Sequence, residues 1–300
     1  MSRDHTLSFA VDGRDWPNHD ASRFVAAAGI RWHVQVSGRG PVLLLLHGTG
    51  AATHSWRHLG PILEEHFTVV APDLPGHGFT QTPPQTLLSL PGMAGGIAAL
   101  LRELDLDPVL VAGHSAGAAV AIRMVLDGAI APRGIVSLNG ALLPFGGIAT
   151  HVFSPLAKLL FLNPFMPRLF AWKAGDAGSV EALIRNTGST IDPEGVEFYR
   201  RLVSCPDHVA AALGMMANWH LDTLYRDLPK LEVPLLLVAG QNDRTIRSED
   251  AFKVRDILPS ANVAIMKGLG HLAHEERGDD VATLVLDFAR SLGLLAEAVA

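Results

Sequence analysis

The sequence predicts a doubly wound, mainly parallel α/β sheet with an inserted helical lid. Three observations predict it. Short apolar runs alternate with helical patterns over residues 30–138 and return after residue 232. One of those runs, Val109-Leu-Val-Ala, leads straight into Gly113-His-Ser-Ala-Gly117 and a further helical stretch. Between residues 141 and 231 the strand signal lapses, and Gly and Pro punctuate short helical segments.

Taken in order, residues 1–21 are polar and mixed, and a loosely ordered arm is expected there. Residues 22–27 and 30–37 flank Gly29 and predict an antiparallel hairpin. Pro41-Val-Leu-Leu-Leu-Leu-His47 is a strand covered on both faces. A helical pattern over 53–65 carries Trp56, Leu59, Ile62 and Leu63 on one side. Residues 67–71 form the next strand and end in the turn-rich loop 72–78. Pro91 opens a helix to Leu104. Strands follow at 133–138, 233–239 and 262–266, with helices at 247–258 and 272–294. The predicted core is therefore 1–140 with 232–300, and the predicted lid is 141–231.

The 300 residues are 48% hydrophobic and 18% charged, enough for one large globular domain with an insertion. A net charge of −6 argues against nucleic acid as a partner. The single cysteine, Cys205, excludes an intramolecular disulfide and suits a reducing compartment. Charged residues interrupt the first 20 positions, and no window reaches 18 uninterrupted apolar residues. A cytoplasmic location is expected, with peripheral membrane contact through the lid as an option.

The Gly-x-Ser-x-Gly stretch sits between strand and helix, the context that exposes a serine on a strained turn. A serine hydroxyl needs a base, and the base needs an orienting acid. Asp243 follows the 233–239 strand and His271 follows the last one, so both fall at the sheet edge that holds Ser115. Ser115 is the expected nucleophile, His271 the general base and Asp243 its orienter. The backbone N–H groups of Thr49 and Ala116 are the expected oxyanion donors. Asn139 stands at an alternative acid position, but an amide cannot stabilise an imidazolium as a carboxylate does. Asp73 is expected to hydrogen-bond its own loop. His274 should point away from the elbow, and Glu275 and Glu276 should form a solvated face. His271-x-x-His274 and His54-x-x-x-His58 have ligand-like spacing, yet no cysteine pair or His-Glu-x-x-His supports them. No metal and no cofactor are expected.

His47-Gly-Thr-Gly50, Asp73-Leu-Pro-Gly-His-Gly78, the elbow, Gly240-Gln-Asn-Asp243 and Gly270-His271 together resemble the α/β-hydrolase superfamily across nearly the whole chain. The α/β-hydrolase fold is what that resemblance implies. A narrower resemblance lies in Asp12-Gly-Arg-Asp-Trp-Pro-Asn18, Ala21-Ser-Arg-Phe24, Leu138-Asn-Gly-Ala-Leu-Leu-Pro-Phe-Gly146 and Gly214-Met-Met-Ala-Asn-Trp219. These look like the magnesium-chelatase accessory proteins of bacteriochlorophyll synthesis in phototrophic bacteria. That resemblance implies a role around magnesium insertion into protoporphyrin.

The lid is dense in apolar residues, and Gly48, Asn139, Phe145, Trp172, Met215 and Trp219 are the expected walls of a pocket for a large apolar substrate. Two function classes follow. One is a serine hydrolase on an ester of an apolar, tetrapyrrole-related molecule; a carbon–carbon bond hydrolase would use the same three groups. The other is a non-catalytic accessory protein that holds a porphyrin or contacts magnesium chelatase.

Overall fold

The computed structural model describes residues 7–144, 166–173 and 177–296. Among these, eight strands form one sheet: β1 (Ser22–Ala27), β2 (Ile30–Gly38), β3 (Val42–Leu46), β4 (Thr68–Pro72), β5 (Leu110–His114), β6 (Gly134–Leu138), β7 (Leu235–Gly240) and β8 (Asn262–Met266). Their order is β1-β2-β4-β3-β5-β6-β7-β8. The β1–β2 and β2–β4 pairs are antiparallel, and every pair from β4–β3 to β7–β8 is parallel.

The helices are α1 (Phe9–Asp12), α2 (Gly60–Leu63), α3 (Leu90–Leu104), α4 (Ala116–Leu126), α5 (Met166–Lys173), α6 (Ala177–Asn186), α7 (Pro193–Val203), α8 (Pro206–Ala217), α9 (Asp222–Asp227), α10 (Ser248–Ile257), α11 (Ala273–Glu276) and α12 (Gly278–Ser291). The apolar runs of the sequence work because successive strand side chains face opposite sides. Leu44, Leu46 and Val111 pack with α3, α4 and α10 on one face. Leu43, Leu45, Leu110 and Ala112 pack with α2 and α12 on the other. Both faces are covered, so polar alternation is absent from β3 and β5. Between β6 and β7 the described residues contain helices and no strand.

Three elements differ from expectation. From Leu7 onward the arm is anchored rather than loose. Trp16 is 2% exposed, packs on Phe79 and Phe198, and donates its indole N–H to Thr53 Oγ1 at 2.9 Å. The helix predicted over 53–65 is two short pieces, a 3-10 turn at Thr53–Trp56 and α2. Pro61 stands at the start of α2 and has no N–H to continue an earlier helix. The predicted terminal helix is broken at Arg277, whose φ of −142° and ψ of 67° separate α11 from α12. Gly278 follows because a Cβ there would lie 2.8 Å from His58 Cβ.

Candidate active site

The turn between β5 and α4 holds Ser115 at φ 53° and ψ −116°, a conformation that an L-residue adopts only under constraint. The constraint is visible in its neighbours. A Cβ on Gly117 would lie 2.1 Å from the Leu46 carbonyl oxygen, and one on Gly113 would lie 2.5 Å from Ala118 N. Strand β3 and helix α4 therefore close on the turn from both sides. Ser115 does not cap α4 with its side chain, and it stays half-buried at the top of the sheet.

Asp243 lies just beyond β7 and His271 just beyond β8. Their side chains meet: His271 Nδ1 is 2.7 Å from Asp243 Oδ2. A carboxylate only accepts, so Nδ1 carries the proton and Nε2 keeps its lone pair. Asp243 also accepts from Thr245 N at 2.7 Å and Ile246 N at 2.9 Å through Oδ1. Asn139 Nδ2 donates to Asp243 Oδ2 at 2.8 Å and to the Gly270 carbonyl at 3.2 Å. Both partners of that amide are acceptors, which fixes its orientation. Its Oδ1 is then buried without a partner, a local cost of roughly 1–3 kcal/mol. Asn139 also sits at φ 48°, in the left-handed region. Position 139 thus holds the Asp243 carboxylate in place. Its place at the end of β6, one strand from β7, was the available signal.

Thr49 and Ala116 flank the elbow. Ala116 N–H belongs to the first turn of α4, where amides have no intrahelical acceptor. Gly48 keeps the Thr49 loop against the elbow, because a Cβ there would be 3.0 Å from Ser115 Cβ. Thr49 Oγ1 donates to Met215 Sδ of α8 at 3.3 Å. Met215 is fully buried in the core, and Trp219 packs partly buried against it. Phe145 and the Trp172 side chain lie outside the described residues. A crevice of about 650 Å³ borders Ser137, Asn139, Leu142, Tyr225, Arg247 and Val254. Among the described residues of the expected pocket set, Asn139 lines it.

Two expectations about neighbouring side chains are corrected. Glu275 is 3% exposed, not solvated. It binds Arg57 Nη1 at 2.5 Å and accepts from Tyr199 Oη at 2.7 Å. Arg57 in turn reaches Asp192, the N-cap of α7. Burial pushes the Glu275 carboxyl up in spite of Arg57. His274 does not point away from the elbow: its ring lies 4.4 Å from that of His114. Asp73 does bind its loop as expected, accepting from Thr53 N and Phe79 N. It also pairs with His33 Nδ1 at 2.7 Å.

Six buried histidines, His47, His54, His77, His114, His208 and His274, are held below the usual imidazole range by burial. For His208 burial lowers the pKa to about 4, and for His274 to about 3. In the unfolded chain each titrates near 6.5. Below that pH the unfolded state takes up protons that the folded state refuses. Stability is therefore complete above about pH 6.5 and lost as pH falls toward 4 and then 3. Urea unfolding at pH 7.5 and pH 5 is expected to show a lower midpoint at pH 5. An unchanged midpoint would contradict it.

The model of the alpha/beta hydrolase family matches residues 43–284, from β3 into α12. The chain belongs to that family. Among curated relatives, it is 37% identical over 276 residues to the magnesium-chelatase 30 kDa subunit of Rhodobacter capsulatus, covering 91% of this chain and 96% of that one. It is 26% identical over 283 residues to the 2-hydroxy-6-oxo-2,4-heptadienoate hydrolase of Pseudomonas putida, covering 90% and 97%. Among solved structures, the epoxide hydrolase CorEH superposes with a TM-score of 0.76 at 24% identity, over 90% of this alpha/beta hydrolase and 99% of that chain. A thermophilic esterase from Thermogutta terrifontis superposes with a TM-score of 0.72 at 23% identity, over 90% and 98%. These structural likenesses speak to the fold alone. Among the described residues, no helix is long and apolar enough to cross a membrane.

Proposed function

We propose that this alpha/beta hydrolase is a serine hydrolase acting on an apolar ester. One observation carries the reading: the 2.7 Å contact of His271 Nδ1 with Asp243 Oδ2, at the sheet edge where the elbow holds Ser115 at φ 53°. In this reading Ser115 Oγ attacks the ester carbonyl and His271 Nε2 takes its proton. The oxyanion is met by the N–H groups of Thr49 and Ala116. His271 then protonates the departing alcohol, and a water activated by the same imidazole releases the acid from the acyl-enzyme. The Asp243 carboxylate keeps the imidazolium in place throughout. Domain organisation follows the same reading, with 1–140 and 232–300 as the catalytic core and 141–231 as the lid over it.

The 37% identity to a magnesium-chelatase subunit supports a tetrapyrrole-related substrate. It also supports a second reading, an accessory that holds a porphyrin or contacts the chelatase without catalysis. The Pseudomonas putida relative supports a carbon–carbon bond hydrolase as a variant of the first. Stopped-flow mixing with p-nitrophenyl butyrate separates the classes. A burst of about one nitrophenolate per chain, followed by slower turnover, is expected from an accumulating acyl-enzyme. Absence of any release above the buffer rate would favour the accessory reading.

A further inference from the structure

The residue that precedes the nucleophile is itself a buried histidine, and no step above uses it. His114 is 3% exposed at the end of β5. Its Nε2 lies 2.9 Å from the backbone carbonyl oxygen of His271. A carbonyl only accepts, so Nε2 carries the proton and Nδ1 is bare. Nδ1 has no partner and looks at Gly48, where even a Cβ would come within 2.9 Å. The ring lies between two others, 4.7 Å from that of His271 and 4.4 Å from that of His274.

Side chains hold the backbone around His271 at four points. Gly270 N donates to Glu276 Oε1 at 2.8 Å, and Leu272 N donates to Ser189 Oγ at 2.8 Å. Asn139 Nδ2 holds the Gly270 carbonyl and His114 holds the next one. Of these four side chains, His114 alone is bonded covalently to the proposed nucleophile.

We propose that His114 is a positioning residue for His271: one strand end carries the nucleophile on one residue and grips the base's carbonyl with the residue before it. The spacing between Ser115 and His271 is then set locally rather than across the sheet. The inference rests on the serine-hydrolase reading for its kinetic consequence, but not for its geometry. Burial holds the His114 ring neutral, its pKa well below the ordinary histidine value. Neutrality matters, because a cation 4.7 Å from the His271 ring would oppose the imidazolium formed during acyl transfer.

The test compares His114→Phe, which keeps a ring without a donor, with His114→Gln, whose amide restores one. Two readouts are taken on the full chain. The first is the downfield His271 Nδ1–H proton signal, which reports the bond to Asp243 whether or not the protein is an enzyme. The second is the burst rate with p-nitrophenyl butyrate. For His114→Phe the proton signal is expected to broaden or vanish, and acylation to slow about 100-fold with KM within twofold, as for a base displaced by about 1 Å. His114→Gln is expected to keep the signal and at least a tenth of the rate. If His114→Phe does not fold, His114→Asn, whose amide falls short of the carbonyl, takes its place with the same expected losses. A folded donor-less variant with an unchanged proton signal would overturn the proposal, as would a His114→Gln as impaired as His114→Phe. A wild type with no release above the buffer rate, but with the signal lost in His114→Phe, would instead remove the hydrolase reading and leave the positioning role standing.

Discussion

Ser115→Ala is expected to lower kcat for p-nitrophenyl butyrate by about 10⁶-fold while leaving the fold intact. In the proposed mechanism the hydroxyl forms the covalent bond to the acyl group. Ser115 is held at φ 53° by the close approach of Leu46 O to Gly117 and of Ala118 N to Gly113. Alanine inherits that same strained backbone, so the substitution removes an oxygen and little else. Stability measured by urea unfolding should change by less than about 1 kcal/mol, the range for a side chain outside the packed core. KM should stay within a few-fold, since the pocket and the oxyanion donors remain. A loss of tenfold or less would mean that another group is the nucleophile.

Asp243→Asn is the second large effect, an expected fall of about 10⁴-fold in kcat. Its origin is a tautomer, not a lost charge alone. The backbone N–H groups of Thr245 and Ile246 both point at Oδ1, so the asparagine oxygen is drawn to that side. The amide nitrogen then takes the place of Oδ2 and donates toward His271 Nδ1. His271 must move its proton to Nε2, where it can no longer accept from Ser115. The new amide also confronts the Asn139 Nδ2 donor, 2.8 Å from Oδ2 in the present structure. Replacing Asn139 by Ala in the Asp243→Asn background relieves that second conflict but not the tautomer, and should restore stability without activity. Parallel kcat and urea measurements on the single and double variants check both halves. Full activity in Asp243→Asn would remove Asp243 from the proposed chemistry.

Much of the fold was legible because its signals are local. The continuous leucines 43–46 announce a strand buried on both faces, and both cores receive them. Ser115, Asp243 and His271 each follow an apolar run within a few residues, which is why the sequence points to them. In a parallel sheet that places all three at one edge. What escaped depends on partners far away in sequence. Glu275 looks solvated beside Glu276 and Arg277, and its partners Arg57 and Tyr199, 218 and 76 residues away, account for its burial. His274 packs on His114 because α11 is a single turn and stops at Arg277, whereas a continuous helical pattern places it elsewhere. Trp16 anchors the polar arm through a hydroxyl 37 residues on. Asn139 occupies an alternative acid position that an amide cannot fill, and its amide instead donates to the Asp243 carboxylate beyond the next strand. The break at α2 had a local signal in Pro61, outweighed by the helical spacing of Trp56, Leu59, Ile62 and Leu63.

The most direct measurement is intact-protein and peptide mass analysis after incubation with a fluorophosphonate. The account predicts one adduct per chain, on the peptide that contains Ser115, formed by the wild type and absent from Ser115→Ala. A wild type that stays unmodified, or an adduct that persists in Ser115→Ala, would contradict it.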